Sequence, residues 1–236
     1  GQLGASVLSK KAAAGATHVV LDLPVGPTAK VRSEEDAQCL ARLLRETAEV
    51  IGLTVRTVIT DGRQPVGRGI GPTLEARDVL AVLQNKEDAP ADLRDRSIQL
   101  AGAIFELAGL VEKGSGVNLA AQSLTSGRAW QKFRAICEAQ GGMRVLPVAA
   151  QTQPVPANRH GFVTAIDNRL LARIAKLAGA PATPASGLDL HVRLGDWVEA
   201  GQPLFTLHAE SAGVLAYALE YLHSRLDVIS ISEYPS

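Results

Sequence analysis

The chain has 236 residues, enough for one large or two small domains with a real core, and its 46% apolar content is that of a globular protein. Its 24 Lys and Arg balance its 24 Asp and Glu, and aromatic residues make up 4%, which argues against a nucleic-acid or anionic-membrane surface and against a stacking platform for single strands. Its apolar runs are too short to cross a bilayer and it shows no signal-peptide pattern, so a cytoplasmic location and no membrane partner are the expectation.

In chain order, residues 3 to 14 read as a helix stopped by Gly15. The opening runs almost directly into that helix without a methionine, which suggests a fragment of a longer protein. "HVVLDL" (18 to 23) is a β-branched apolar strand. Ser33 caps a second helix whose first turn is acidic and whose Ala37, Leu40, Ala41, Leu44, Ala48 and Ile51 keep the helical period up to Gly52. "TVRTVIT" (54 to 60) is a second strand, "DGRQPVGRGIGP" (61 to 72) a glycine-rich loop, and "TLEARDVLAVLQ" a helix. Strand, helix, strand at this spacing describes a parallel βαβ unit. Helices then dominate from about 91 to 140, with a break at "GSG" (114 to 116).

Near residue 147 the composition shifts. "LPVAAQTQPVPANRHG" holds three prolines and no helical period, and reads as a linker or extended crossover. "GFVTAI", a helical "NRLLARIAKLAG" and "SGLDLHVRLGDWVEAGQPLFTLHAE" follow, the last turning at Gly195-Asp196 and Gly201-Gln202. A helix (211 to 225) and a strand (227 to 232) close the chain. The expected fold is α/β: the latter part of a mixed or parallel-sheet α/β domain over 1–150, then a small α+β domain with hairpin, barrel-sandwich-like character over 151–236.

Three constellations can carry chemistry. Ser6 and Lys10 are spaced to share one face of the first helix, where a hydroxyl and an ammonium can hydrogen-bond the carbonyls and ring nitrogen of a base, or simply meet solvent. The turn "PVGPTAK" (24 to 30) should lie outside the carboxyl end of a parallel strand, where ligands of open α/β sheets gather. There Lys30 can bind a phosphate or carboxylate, or be a surface cation beside a turn shaped by Gly26 and Pro27. "GRGIGP" (67 to 72) loosely imitates a phosphate loop but lacks the spacing of the dinucleotide and triphosphate motifs, and close packing is the better reading of its glycines. Asp61 is a polar rim residue. The five histidines show no ligand spacing with each other or with Cys39 and Cys137, which read as free buried thiols, so no metal is expected. The "GDWVEAGQPLF" stretch suggests a biotinyl or lipoyl carrier hammerhead, but no lysine follows Lys176, which excludes a swinging arm.

"ASVLSKKAAAGATHVVLDLPVGPTAKV", "TDGRQPVGRGIGPTLEARDVLAVL" and, more loosely, "LGDWVEAGQPLFTLHAES" resemble, in order and spacing, the second family of nucleoside phosphorylases. That family holds thymidine and pyrimidine-nucleoside phosphorylases and the related AMP phosphorylases. The resemblance implies reversible phosphorolysis of a nucleoside to free base and pentose 1-phosphate, with inorganic phosphate as co-substrate and no further cofactor. It implies that this chain is the carboxyl-terminal part of an enzyme that is a homo-oligomer, a dimer, in its full length, and that the catalytic and phosphate-binding residues lie upstream of residue 1. Ser6 and Lys10 fall on the family's base-binding Ser-x-x-x-Lys pair. The turn departs from the Gly-Ser-Gly-Ala-Phe of thymidine phosphorylases and is closer to the Pro-x-Gly-Pro-Gly-Ala-Lys of AMP phosphorylases, with Thr28 replacing a glycine. Gly26, Thr28 and Lys30 are thus implied substrate-binding residues. Thymidine-type and nucleoside-monophosphate activity both stay open, as does an inactive structural or oligomerising role for the fragment.

Overall fold

The computed structural model describes residues 2–225 and 228–235, with side chains from residue 7 onward. α1 (Gln2–Ala13) is closed by Gly15, whose φ of 77° suits the left-handed stop residue after a helix. β1 (His18–Val25) buries Val19, Leu21 and Leu23 on one face, following the period of two. α2 (Glu34–Val50) starts where the Ser33 hydroxyl accepts from the Asp36 amide at 3.1 Å, a cap of the kind that contributes about 1 kcal/mol. Its Ala37, Ala41, Leu44 and Ala48 are buried. β2 (Thr54–Asp61) then lies parallel to β1, in a register running from His18 opposite Thr54 to Val25 opposite Asp61. Leu8 of α1, the three β1 residues, Ala41, Leu44, Ala48 and Leu53 form one apolar core.

After β2 the chain makes β3 (Gly69–Ile70) and α3 (Pro72–Leu83), then α4 (Ala91–Leu107), α5 (Gly116–Thr125) and α6 (Arg128–Ala139). The face of β1 and β2 turned away from that core carries Val20, Asp22, Arg56 and Thr60, and two ion pairs join it to α4. Arg96 meets Asp22 at 2.9 Å and Glu106 meets Arg56 at 2.8 Å.

The carboxyl-terminal part adds β4 (Gln151–Pro156), β5 (Gly161–Ile166), α7 (Asn168–Leu177), β6 (Gly187–Leu190), β7 (Trp197–Val198), β8 (Pro203–Ala209), α8 (Ala212–His223) and β9 (Ile229–Ser232). Two antiparallel sheets result, one ordered β3-β6-β8-β4 and one ordered β7-β5-β9. Leu188, Leu190, Phe205 and Leu207 from the first sheet, Val163 and Ile166 from the second, Leu171 and Ile174 of α7 and Leu215 and Leu222 of α8 share a second apolar core. The fold is therefore mixed α/β with a small α+β carboxyl-terminal domain.

Several local expectations change. The proline-rich stretch after residue 147 is not only a linker, because residues 151–156 form β4, paired with β8. β4 lies at the sheet edge, where Pro154 and Pro156 are tolerated because a missing amide need not break an inner ladder. The glycine loop contains β3, two residues too short to show a period. The segment 187–209 is not a succession of simple hairpins. β6 and β8 pair antiparallel while β7, between them in sequence, joins the other sheet. The last strand begins at Ile229, and residue 227 of the expected strand lies outside the described residues.

The compact units also interleave, where composition suggests one boundary near residue 150. Residues up to Gly62 with Arg94–Ala129 form one unit, and Arg63–Leu93 with Trp130–Ser236 the other. The reason is the pairing of β3 with β6, which ties the stretch after β2 to the carboxyl-terminal sheet. Among the described residues no helix is long and apolar enough to cross a membrane.

Candidate substrate-binding turn and its supports

The turn after β1 is built from its own backbone. The Gly26 carbonyl accepts from the Ala29 amide at 3.0 Å, closing a β-turn with Pro27 at its second position, where the fixed φ of proline is favourable. The Gly26 amide in turn donates to the Val31 carbonyl at 3.1 Å, beside a bridge between Val25 and Val31. Gly26 is buried, Thr28 half-buried and Lys30 exposed. Among the described residues Asn85 alone, apart from glycines, has a positive φ, so Thr28 sits in ordinary backbone where its side chain carries no steric penalty. The turn thus presents Lys30 to solvent just beyond the carboxyl end of a parallel strand, and no hydrogen bond or ion pair engages its ammonium among the described residues.

Lys10 lies in the last turn of α1, exposed, where a cation also complements the helix dipole. Ser6 is one turn earlier on the same helix, and its side chain lies outside the described residues. Leu8, between them, is fully buried and anchors α1 to the core of the first unit.

Beneath the turn lies a polar network that the sequence reading missed. Both oxygens of Asp22, a carboxylate inside an apolar strand, are used: Oδ1 accepts from the Thr60 hydroxyl at 2.5 Å and Oδ2 from Arg96 Nη1 at 2.9 Å. Arg96 Nη2 donates to the Asp61 carbonyl at 2.9 Å. The next amide, Gly62, donates to the Val25 carbonyl at 2.8 Å, and a Cβ on Gly62 would meet Pro24. The carboxyl ends of β1 and β2 are thereby tied to each other and to α4. The available signal was the lone Asp in "VVLDL", since a charge there requires a partner. At the far end of α4, Glu106 accepts from Arg56 and from the Gly114 and Gly116 amides at 2.9 and 3.0 Å. The Arg56 hydrogen bond, followed by that of Gly116, holds the Glu106 carboxyl below the usual carboxylate range.

In the second unit the glycine loop resembles an anion cradle whose donors are already taken. Gly67 donates to Asp92, Arg68 and Gly69 to Asp78 at 2.6 and 2.8 Å, and Gly71 to Glu75 at 3.0 Å. The Asp78 side chain is buried and is also paired with the Arg68 guanidinium. Arg193 donates to the Pro65 and Gly67 carbonyls at 3.0 and 2.8 Å and pairs with Asp92. A Cβ on Gly69 would overlap the Leu74 backbone, and one on Gly71 the Ser186 carbonyl. Close packing, with carboxylates of the protein itself where a phosphate would sit, accounts for these glycines. Gln64, Arg68, His191 and Arg193 line an open cleft of about 540 Å³ beside the loop, but its arginines are committed to Asp78 and Asp92. No group of three or more His, Cys, Asp or Glu able to hold a metal occurs among the described residues. Cys39 is exposed and Cys137 half-buried, so the expectation of buried thiols is corrected, although both are free.

The chain is similar to known proteins over nearly its whole length. Residues 162–228 match the pyrimidine nucleoside phosphorylase C-terminal domain. A protein of Acidovorax sp. (strain JS42) named "Putative thymidine phosphorylase 1" is 63% identical over 233 residues, covering 99% of this chain and 46% of that protein. Proteins of Tolumonas auensis and Legionella pneumophila (strain Paris), each named "Putative thymidine phosphorylase", are both 58% identical, covering 98% and 99% of this chain and 46% and 45% of their own lengths. These similarities define the class: the chain belongs to the family of thymidine and pyrimidine-nucleoside phosphorylases. Within that family it spans about half the length of the curated relatives it matches, and it carries the family's C-terminal domain.

Proposed function

We propose that the full-length protein to which this chain corresponds is a pentosyltransferase that phosphorolyses a pyrimidine nucleoside of thymidine type to free base and (deoxy)ribose 1-phosphate. Supporting this is the relationship, at 58–63% identity across the whole chain, to proteins that bear a thymidine phosphorylase name. Inorganic phosphate is the co-substrate and no other cofactor is required. A phosphate oxygen bonds to the anomeric carbon as the glycosidic carbon–nitrogen bond breaks, and the electron pair leaves with the base. Donors at the base oxygens and nitrogens lower that barrier by stabilising the developing anion. Ser6 and Lys10 supply the donors, and the Gly26–Lys30 turn borders the substrate. The groups that bind phosphate belong to the remainder of the protein, so the 236-residue chain alone is inactive.

A second reading has its own observation. Lys30 stands exposed at the exit of the turn, its ammonium without a partner among the described residues, suited to the 5′-phosphate of a nucleoside monophosphate, with ribose 1,5-bisphosphate as product. The experiment restores the remaining length and follows base release by chromatography from thymidine, uridine, AMP and CMP, with and without phosphate. Phosphate-dependent release from thymidine, indifferent to Lys30→Ala, supports the first reading. Release from a monophosphate that falls by a factor of ten or more in Lys30→Ala, as expected for a lost charge-assisted hydrogen bond of ~1.5–3 kcal/mol, supports the second. No release from any of them would overturn both.

A further inference from the structure

We propose that Arg96 is a positioning residue for the substrate-facing turn, acting through the backbone and never touching substrate itself. The inference rests on the reading that the Gly26–Lys30 turn borders the substrate. A continuous path leads from α4 to Lys30. Arg96 Nη2 binds the Asp61 carbonyl, the following Gly62 amide binds the Val25 carbonyl, and the following Gly26 amide binds the Val31 carbonyl, next in chain to Lys30. Every link is a backbone hydrogen bond except the first, which a guanidinium supplies.

Arg96 is held in place for this task. Its Nη1 is fixed by Asp22, and Asp22 by the Thr60 hydroxyl, so the guanidinium plane is set from both strands. The side chains of Arg96 and Asp22 are 17% and 25% exposed, so solvent screens the pair only partly. The two-pronged geometry is specific to arginine, since a lysine offers a point charge and cannot span a carboxylate and a carbonyl in one plane. The Asp61 carbonyl lies at the end of β2, and the bond from Arg96 limits its tilt and, through the chain of backbone bonds, that of the turn that follows β1. α4 is thus a brace for the substrate-facing edge, through one residue of its second turn.

The test uses the full-length protein with Arg96→Met, Arg96→Lys and Thr60→Val. Amide hydrogen exchange is followed at Gly26 and Gly62, with Thr54, whose amide donates to the Thr17 carbonyl at the opposite edge of the sheet, as the internal control. Arg96→Met is expected to speed exchange at Gly26 and Gly62 roughly tenfold with Thr54 unchanged, and Arg96→Lys to restore part of the protection. In the same variants the KM of the nucleoside or nucleotide that the parent turns over is expected to rise roughly tenfold while kcat stays within about twofold, the signature of misplaced binding groups. Unchanged exchange at Gly26 and Gly62 in Arg96→Met would overturn the proposal, as would an equal rise at Thr54, which would mark general loosening. Should Arg96→Met not fold, Thr60→Val decides, with a rise of about threefold expected at the two glycines and no rise overturning the proposal. A parent that turns over none of the substrates would sink the phosphorylase reading, while the exchange data would still decide the role of Arg96 in the turn.

Discussion

Asp78 is the residue on which the glycine loop depends. It is almost fully buried, yet its carboxylate accepts two backbone amides and the Arg68 guanidinium. Removing it leaves two buried N–H groups and a cation unpaired. Asp78→Ala is therefore expected to destabilise the second unit by about 3 kcal/mol, checked by urea denaturation, whereas Glu75→Ala, which frees only the Gly71 amide, should cost about 1 kcal/mol. If the two substitutions had equal effects, the loop would not be organised by Asp78. Sequence reasoning weighed the loop glycines correctly as packing residues but passed over Asp78, which reads in "TLEARDVL" as one more surface charge. Its role became visible only when the loop folded back over α3. Lys30 is the opposite case: an exposed lysine behind a turn is legible from "PVGPTAK" alone, because proline and glycine declare a turn by their own backbone geometry.

At the scale of elements, local signals were reliable wherever the residues that make an element are neighbours in sequence. The Ser33 cap, the left-handed Gly15 and the helical spacing of Ala37, Ala41, Leu44 and Ala48 stand where the sequence places them. β3 and β4 were not legible as strands, since a two-residue strand has no period and a proline-bearing strand is recognisable only from its edge position. β3 also depends on a glycine. Gly71 has φ 140° and sits against the Ser186 carbonyl, so Gly71→Ala is expected to part β3 from β6 and cost about 2–3 kcal/mol. Urea denaturation followed by tryptophan fluorescence would measure it, and a loss under 1 kcal/mol would show that the backbone there yields easily.

At the scale of the whole molecule, two units with separate cores respond to acid through different groups. On the outer face of the β6–β8 pair, His208 has a buried Nε2 with no partner among the described residues, near the ion pair of Arg77 with Asp189 and near His191. Burial pushes its imidazole below the ordinary histidine value of 6.5, with Asp189 opposing the shift and Arg77 and His191 adding to it. The folded chain thus prefers His208 neutral, and its contribution is fully present above pH 6.5 and lost progressively as pH falls from there toward the folded pKa. Glu106, in the first unit, is lowered from 4.5, so its contribution is present above that value and lost as pH falls through its folded pKa. Both tryptophans, Trp130 and Trp197, lie in the second unit, so their fluorescence reports on it alone. Between pH 7.5 and 5.5 the fluorescence-detected Tm is expected to fall, and His208→Gln to flatten that fall. In the helix signal, to which both units contribute, the part that does not follow the fluorescence should hold until the pH drops below about 4.5, where Glu106→Gln should blunt the loss. A fluorescence-detected Tm that is flat down to pH 5.5 would remove His208 from this account.

What the sequence determined by itself was local and compositional: the caps and periods of the helices, the parallel strand pair around α2, the turn that exposes Lys30 and the family motifs on either side of it. Each rests on residues a few positions apart, where backbone geometry and apolar spacing act directly. The tertiary structure alone decided that β3 pairs with β6 and β4 with β8, that the units interleave, that Asp78 fills the glycine loop, and that Arg96 reaches the ends of both strands. Those contacts join residues 10 to more than 100 positions apart, and a carboxylate or guanidinium shows no preference for a partner until burial removes the water that would otherwise satisfy it.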